Sequence, residues 1–167
     1  MERLQWFERV FVFGLAPGML PFYIERLEGT LTRIEKKVGG ISEDELSERL
    51  DGKWSIKENI GHLAEVDEVA LQRIDQMIAG ISPMLPAVFE PKSYDQWTIK
   101  QVLDYFGQTR RKNVARYKAL EPDQLRKFSL HPRLKTMMSP VDLAWFDAEH
   151  DDHHLVRINE IISKLKA

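Results

Sequence analysis

Asp147-Ala148-Glu149-His150-Asp151-Asp152-His153-His154 lies in the last amphipathic segment of the chain, and its reading decides the fold. Projected at ~100° per residue, Leu143, Asp147, His150, His154, Ile158, Ile161 and Leu165 share one stripe. The C-terminal part of that stripe is apolar throughout. Two imidazoles and a carboxylate therefore occupy positions where the pattern calls for core side chains. His150 and His154 stand one turn apart, so their rings can converge on one ion. His153 falls on the other side with Glu149, Arg157, Glu160 and Lys164, and is expected to face solvent. The pattern predicts a metal site inside a helical bundle.

Working outward, 167 residues suffice for one domain with a proper core. A net charge of -2 supplies no basic field for nucleic acid. No apolar run approaches the roughly 20 residues of a membrane span. The segment Met1 to Arg9 lacks the apolar core and cleavage site of a signal peptide. The sequence contains no cysteine, which excludes disulfides and thiolate ligands. Any metal must be held by imidazole and carboxylate, and a cytoplasmic location is the default expectation.

Residues 1–16 carry Trp6, Phe7, Val10, Phe11, Val12, Phe13 and Leu15 without a long helical period, and read as an apolar arm laid over the bundle or a partner. The rest, 17–167, reads as the bundle domain. Leu20, Ile24, Leu27, Leu31, Ile34 and Val38 mark a first amphipathic helix, stopped by Gly39-Gly40. Ser42-Glu43-Asp44-Glu45 is a capping box before a short helix. Ser55, answered by Glu58, opens a long helix whose apolar face runs from Ile56 to Ile78, with His62 bordering it and Asp67 within it. The proline-bearing stretch 81–91 is a loop. Trp97-Thr98-Ile99-Lys100-Gln101 repeats the pattern Trp54-Ser55-Ile56-Lys57-Glu58 and starts a third long helix. Its stripe, Val102, Phe106, Thr109, Asn113, Tyr117 and Leu120, is polar in the middle. His131-Pro132-Arg133-Leu134 is a loop, and Ser139-Pro140-Val141-Asp142 caps the last helix. The sum is all-α, a four-helix bundle.

A third donor must come from another helix, and His62 is the best placed; His131 sits in a loop and is weaker. Asp147 and Asp67, on apolar stripes, are expected either to support a ligand imidazole or to pair with an arginine. Trp6, Trp54, Trp97 and Trp145 are expected as core or helix-start packing, and Glu43 to Glu48 as a solvated face.

Two motifs then carry a family resemblance: Gly52-Lys53-Trp54-Ser55-Ile56-Lys57-Glu58-Asn59-Ile60-Gly61-His62-Leu63, and Ala148 to His154 with its His-x-x-x-His. Together they resemble the signature of the DinB-like superfamily of damage-inducible metalloproteins, which includes the bacillithiol and mycothiol transferases. The resemblance implies a four-helix bundle running up-down-down-up and frequent homodimers. It also implies a divalent metal, zinc or nickel, on three histidines matching His62, His150 and His154. A divalent ion on three imidazoles keeps coordination positions open and lowers the pKa of a thiol or water bound there. The leading expectation is a metal-dependent S-transferase that uses a low-molecular-weight thiol on small electrophiles, or a hydrolase. Asp147 is the expected proton acceptor, with Thr109, Asn113 and Tyr117 lining the cofactor pocket. The alternative is a non-catalytic metal-binding stress or interaction protein, whose site a fourth side chain such as Asp147 or Asp67 would close.

Overall fold

The computed structural model describes residues 3–166. Met1 and Glu2 of the expected arm, and Ala167, lie outside the described residues. Five α-helices follow in chain order: α1 (Leu20–Val38), α2 (Glu43–Ser47), α3 (Ile56–Ile78), α4 (Ile99–Lys118) and α5 (Pro140–Leu165). Four of them begin at capping boxes. Ser42, Ser55, Thr98 and Ser139 each accept from the backbone N–H three residues on, and Glu45, Glu58, Gln101 and Asp142 reach back. Each box satisfies two of the orphan donors at a helix start.

Side-chain pairs give the course of the four long helices. Arg26 meets Glu149 and Lys37 meets Asn159, so α1 and α5 are parallel. Asp67 meets Arg110 and Asp75 meets Arg116, so α3 and α4 are parallel. Asn59 meets His154 while Asp67 shares Arg110 with Asp151, so α3 runs against α5. The order is up-down-down-up, and α4 lies diagonally across from α5. A two-residue antiparallel ladder, β1 (Ser129–Leu130) with β2 (Met137–Met138), ties down the loop before α5. The loop His131 to Leu134 forms the turn of this ladder, which the sequence pattern did not suggest.

The apolar core falls into two clusters. One gathers Leu27, Ala70, Val114 and Ala148; the other gathers Ile34, Ala64, Phe106 and Leu155. Between them every long helix contributes a polar residue: Thr30, Asp67, Arg110 and Asp151, all buried. Arg110 Nε donates to Asp67 at 2.9 Å and its terminal nitrogens donate to Asp151 at 2.5 and 2.9 Å. Thr30 Oγ1 donates to Asp151 at 2.6 Å, and Arg110 also donates to the Leu27 carbonyl at 2.9 Å. Burial pushes the Asp67 carboxyl up to about 7, against the pull of a guanidinium it must share with Asp151. Of the two roles open to Asp67, pairing with an arginine is the one it takes.

The arm lies over α5. Arg3 Nε donates to Glu160 at 2.7 Å, Arg9 pairs with Glu149, and Asp142 Oδ1 accepts from the backbone N–H groups of Gly14 and Leu15 at 2.9 Å each. Asp142 thus closes its own helix cap with one oxygen and holds the arm with the other. Phe11 and Phe13 pack edge-on against Trp145 and Phe146. Glu43 is more than a solvated acid: it pairs with buried Lys57 at 2.5 Å and accepts from the Ile99 N–H at 2.9 Å, capping α4.

Candidate metal centre

α3 and α5 bring His62, His150 and His154 together, one nitrogen of each lying within 4.8 Å of the others. His154 is buried, and His62 and His150 are partly exposed. Among the described residues the group consists of these three imidazoles, with no carboxylate in it. His150 Nε2 and His154 Nε2 are 3.2 Å apart. Two donors on one tetrahedral ion at ~2.0–2.1 Å would be separated by about 3.3 Å. Burial, then the neighbouring histidines, holds the pKa of His150 and of His154 well below 6.5. Both are therefore neutral, the form in which imidazole ligates. The donor set fits a divalent cation.

The supports around the cluster come from the sequence of α3. His154 Nδ1–H donates to Asn59 Oδ1 at 2.7 Å. Asn59 Nδ2 donates to the Ser55 carbonyl at 2.7 Å, which fixes the amide with its oxygen toward His154. The tautomer that frees His154 Nε2 is thereby set. His62 Nδ1 faces Glu65 Oε2 at 3.5 Å, and Tyr94 donates to the other oxygen of Glu65 at 2.7 Å. Burial would raise the Glu65 carboxyl, but His62, Tyr94 and Lys92 together hold it below its usual range. Tyr94 reaches this position because Gly61 has no side chain: a Cβ there would lie 2.3 Å from the Tyr94 ring. Asn59 and Glu65 were not singled out from sequence, although both lie one turn from a ligand's level on the same face.

Aromatic rings surround the imidazoles. Trp54 packs against His62 and His154, Phe89 against His62, and Trp6 of the arm against His150. Trp6 and Trp54, expected as ordinary packing, instead wall a cavity of about 620 Å³ that His62 and His150 also line. Trp97 and Trp145 do pack, against Tyr94 and against the arm. Trp6 also covers His153, at 5.6 Å between rings. His153 is thus half-buried under the arm rather than solvent-facing, and burial lowers its pKa to about 4.

Asp147 lines the cavity one turn before His150. Burial, then repulsion from Asp67, pushes its carboxyl up to about 8. Tyr117 donates to it at 3.4 Å. Thr109, Asn113 and Tyr117 are buried in the bundle interior, and none of them is among the residues lining the cavity. The cavity opens between α3 and α5, and α4 stands on the far side of the bundle. Thr109 donates to the Phe106 carbonyl at 3.0 Å, and Asn113 has no hydrogen-bond partner among the described residues. The structure thus places Thr109, Asn113 and Tyr117, expected to line the cofactor pocket, in the interior and away from this cavity. His131 lies apart from the histidine cluster but lines the same cavity.

Residues 26–158 match the DinB superfamily. The chain belongs to this superfamily. No curated protein matches the sequence. Among solved structures, the chain is similar to YfiT from Bacillus subtilis, with 14% identity, 95% of this chain and 94% of that chain covered, and a TM-score of 0.67. YfiT is described as a probable metal-dependent hydrolase with an unusual four-helix bundle topology. At that identity the likeness bears on the fold alone, a four-helix bundle. Among the described residues no helix is long and apolar enough to cross a membrane.

Proposed function

We propose that this DinB-superfamily protein is a metal-dependent enzyme that joins a low-molecular-weight thiol to a small, largely apolar electrophile. The observation that carries it is the opening of the imidazole cluster, through His62 and His150, onto a cavity of about 620 Å³. A structural site would be closed by a fourth side chain, and neither candidate carboxylate joins the cluster: Asp67 pairs with Arg110, and Asp147 lies outside the group of mutually close donors. A volume of this size suits one small substrate with a bound co-substrate. When bound, the divalent ion, which the family resemblance gives as zinc or nickel, would supply Lewis acidity that makes a thiol or water easier to deprotonate.

The chain's own residues supply the rest. Asn59 and Glu65 orient two of the imidazoles. Trp6, Trp54 and Phe89 pack apolar ring surface against them. Asp147, with a carboxyl pKa of about 8, can hold or release a proton near neutral pH at a point one turn from His150. The choice of thiol over water rests on the family resemblance, and hydrolysis by the same groups is the second reading, favoured by the description of YfiT. The resemblance also implies a homodimer, which sedimentation would test.

The deciding assay mixes metal-loaded protein with a chromogenic electrophile and a panel of low-molecular-weight thiols, alongside a chromogenic ester without thiol. Thiol-dependent, chelator-sensitive turnover supports transfer. Ester cleavage without thiol selects the hydrolase. Metal-loaded protein inactive in both, with every thiol, counts against an enzyme.

A further inference from the structure

Arg73 stands on α3 eleven residues beyond His62, on the wall of the same cavity. His62, Val66, Val69 and Arg73 recur at helical spacing and all line it, so the cavity follows α3 for three turns, about 16 Å. Among the described residues Arg73 makes no hydrogen bond or ion pair, and its Nε is buried without an acceptor. A guanidinium does not escape this by losing its proton.

His131 lines the same cavity and is 4% exposed. Its Nδ1 accepts from the backbone N–H groups of Arg133 and Leu134 at 3.2 and 3.1 Å. The proton of the neutral ring therefore sits on Nε2, and that atom too is buried without an acceptor. Arg73 lies near enough to help depress the His131 pKa, after burial, to about 4. Asp147, the carboxylate on this wall, lies close enough for its charge to act on Arg73, but it makes no ion pair or hydrogen bond with the guanidinium and accepts from Tyr117. Two buried N–H donors of a cavity thus share a need for an acceptor, and one of them is cationic.

We infer that Arg73 and His131 form an anion subsite that receives the carboxylate of an elongated substrate. Its apolar body lies along Val66, Val69 and Phe146, and its reacting end reaches the histidine cluster. A carboxylate brings acceptors only, and one negative charge, matching one guanidinium and one neutral N–H. A dianionic phosphate would leave charge uncompensated in an apolar cavity. The inference deepens the reading of this cavity as a substrate site and rests on it, but the subsite itself can be tested without turnover.

The test is isothermal titration of the full chain with 4-phenylbutyrate, its primary amide, and 3-phenylpropyl phosphate, before and after chelator treatment. The expected result is binding of the acid at least tenfold tighter than the amide in both states. Arg73→Met should bring the acid down to the amide's affinity while metal content stays unchanged. Should that variant fail to fold, Arg73→Lys, which keeps the charge but not the planar fork, should weaken the acid at least threefold. Equal affinity of acid and amide overturns the subsite and means that solvent satisfies the two donors. A preference that survives Arg73→Met or Arg73→Lys unchanged overturns it as well. A preference lost on chelation places the acid at the ion, and tighter binding of the phosphate overturns the carboxylate assignment. A chain that binds no metal yet prefers the acid through Arg73 keeps the subsite while the metal-dependent reading falls.

Discussion

His154 Nδ1–H donates to Asn59 Oδ1 at 2.7 Å, across the boundary between α5 and α3. The bond joins the two motifs that stand ~90 residues apart in the chain, and makes Asn59 the residue that orients a ligand it precedes in sequence by 95 positions. Asn59→Ala should therefore weaken metal binding by about 10–100-fold, the usual effect of removing a partner that orients a ligand. Competition against a fluorescent chelator measures it. Affinity within twofold of the wild type would mean that His154 is oriented by packing alone.

Gly61 and Tyr94 make a second, purely steric contact. Gly61→Ala should cost about 1–3 kcal/mol by urea denaturation, because the new methyl occupies the place of the Tyr94 ring. Combining it with Tyr94→Leu should cost less than the sum of the two single changes. Strict additivity would show that the ring moves aside freely.

Arg110 neutralises two buried carboxylates, and neither Asp67 nor Asp151 has another cation within ion-pair distance among the described residues. Arg110→Met should destabilise the fold by about 3–5 kcal/mol, since it strands buried charge. Replacing Asp67, Arg110 and Asp151 together with apolar residues of similar size should recover most of that loss. Failure of the triple variant to recover would assign the polar layer a role in fold specificity rather than charge balance.

Asp147 sets a pH dependence of known sign. Its folded pKa, about 8, lies above the unfolded value of 3.8. Between those values the folded chain keeps a proton that the unfolded chain releases, so this group's contribution to stability falls as pH rises from about 4 through 8, at up to ~1.4 kcal/mol per pH unit. Asp147→Asn removes the term. In chelator-treated protein, the stability difference between Asp147→Asn and wild type should grow with pH across this window. A constant difference would show that Asp147 is ionised throughout.

The helices and the histidine stripe were legible in the sequence because both are local. Caps, three-four periodicity and the i, i+4 spacing of His150 and His154 lie within a few residues of one another. What was not legible depends on which helices are neighbours. Thr109, Asn113 and Tyr117 do face inward, as their stripe indicates, but a stripe does not say that α4 stands diagonally from α5. Asp67 on an apolar face was equally compatible with a histidine partner or an arginine; Arg110, 43 residues away, decides it. His153 is phased correctly on the outer side of α5, yet the arm covers it, held by Arg3, Arg9 and Asp142 through contacts with no sequence period.

Metal content per chain, measured by inductively coupled plasma mass spectrometry on wild type and on single alanine variants of His62, His150, His153 and His154, tests the central claim most directly. Stoichiometric metal is expected in the wild type and in His153→Ala, with loss of most of it in the other three and a lower melting temperature for His150→Ala. Unchanged metal in His150→Ala, or loss in His153→Ala equal to that in His154→Ala, would contradict a site built from the three converging imidazoles.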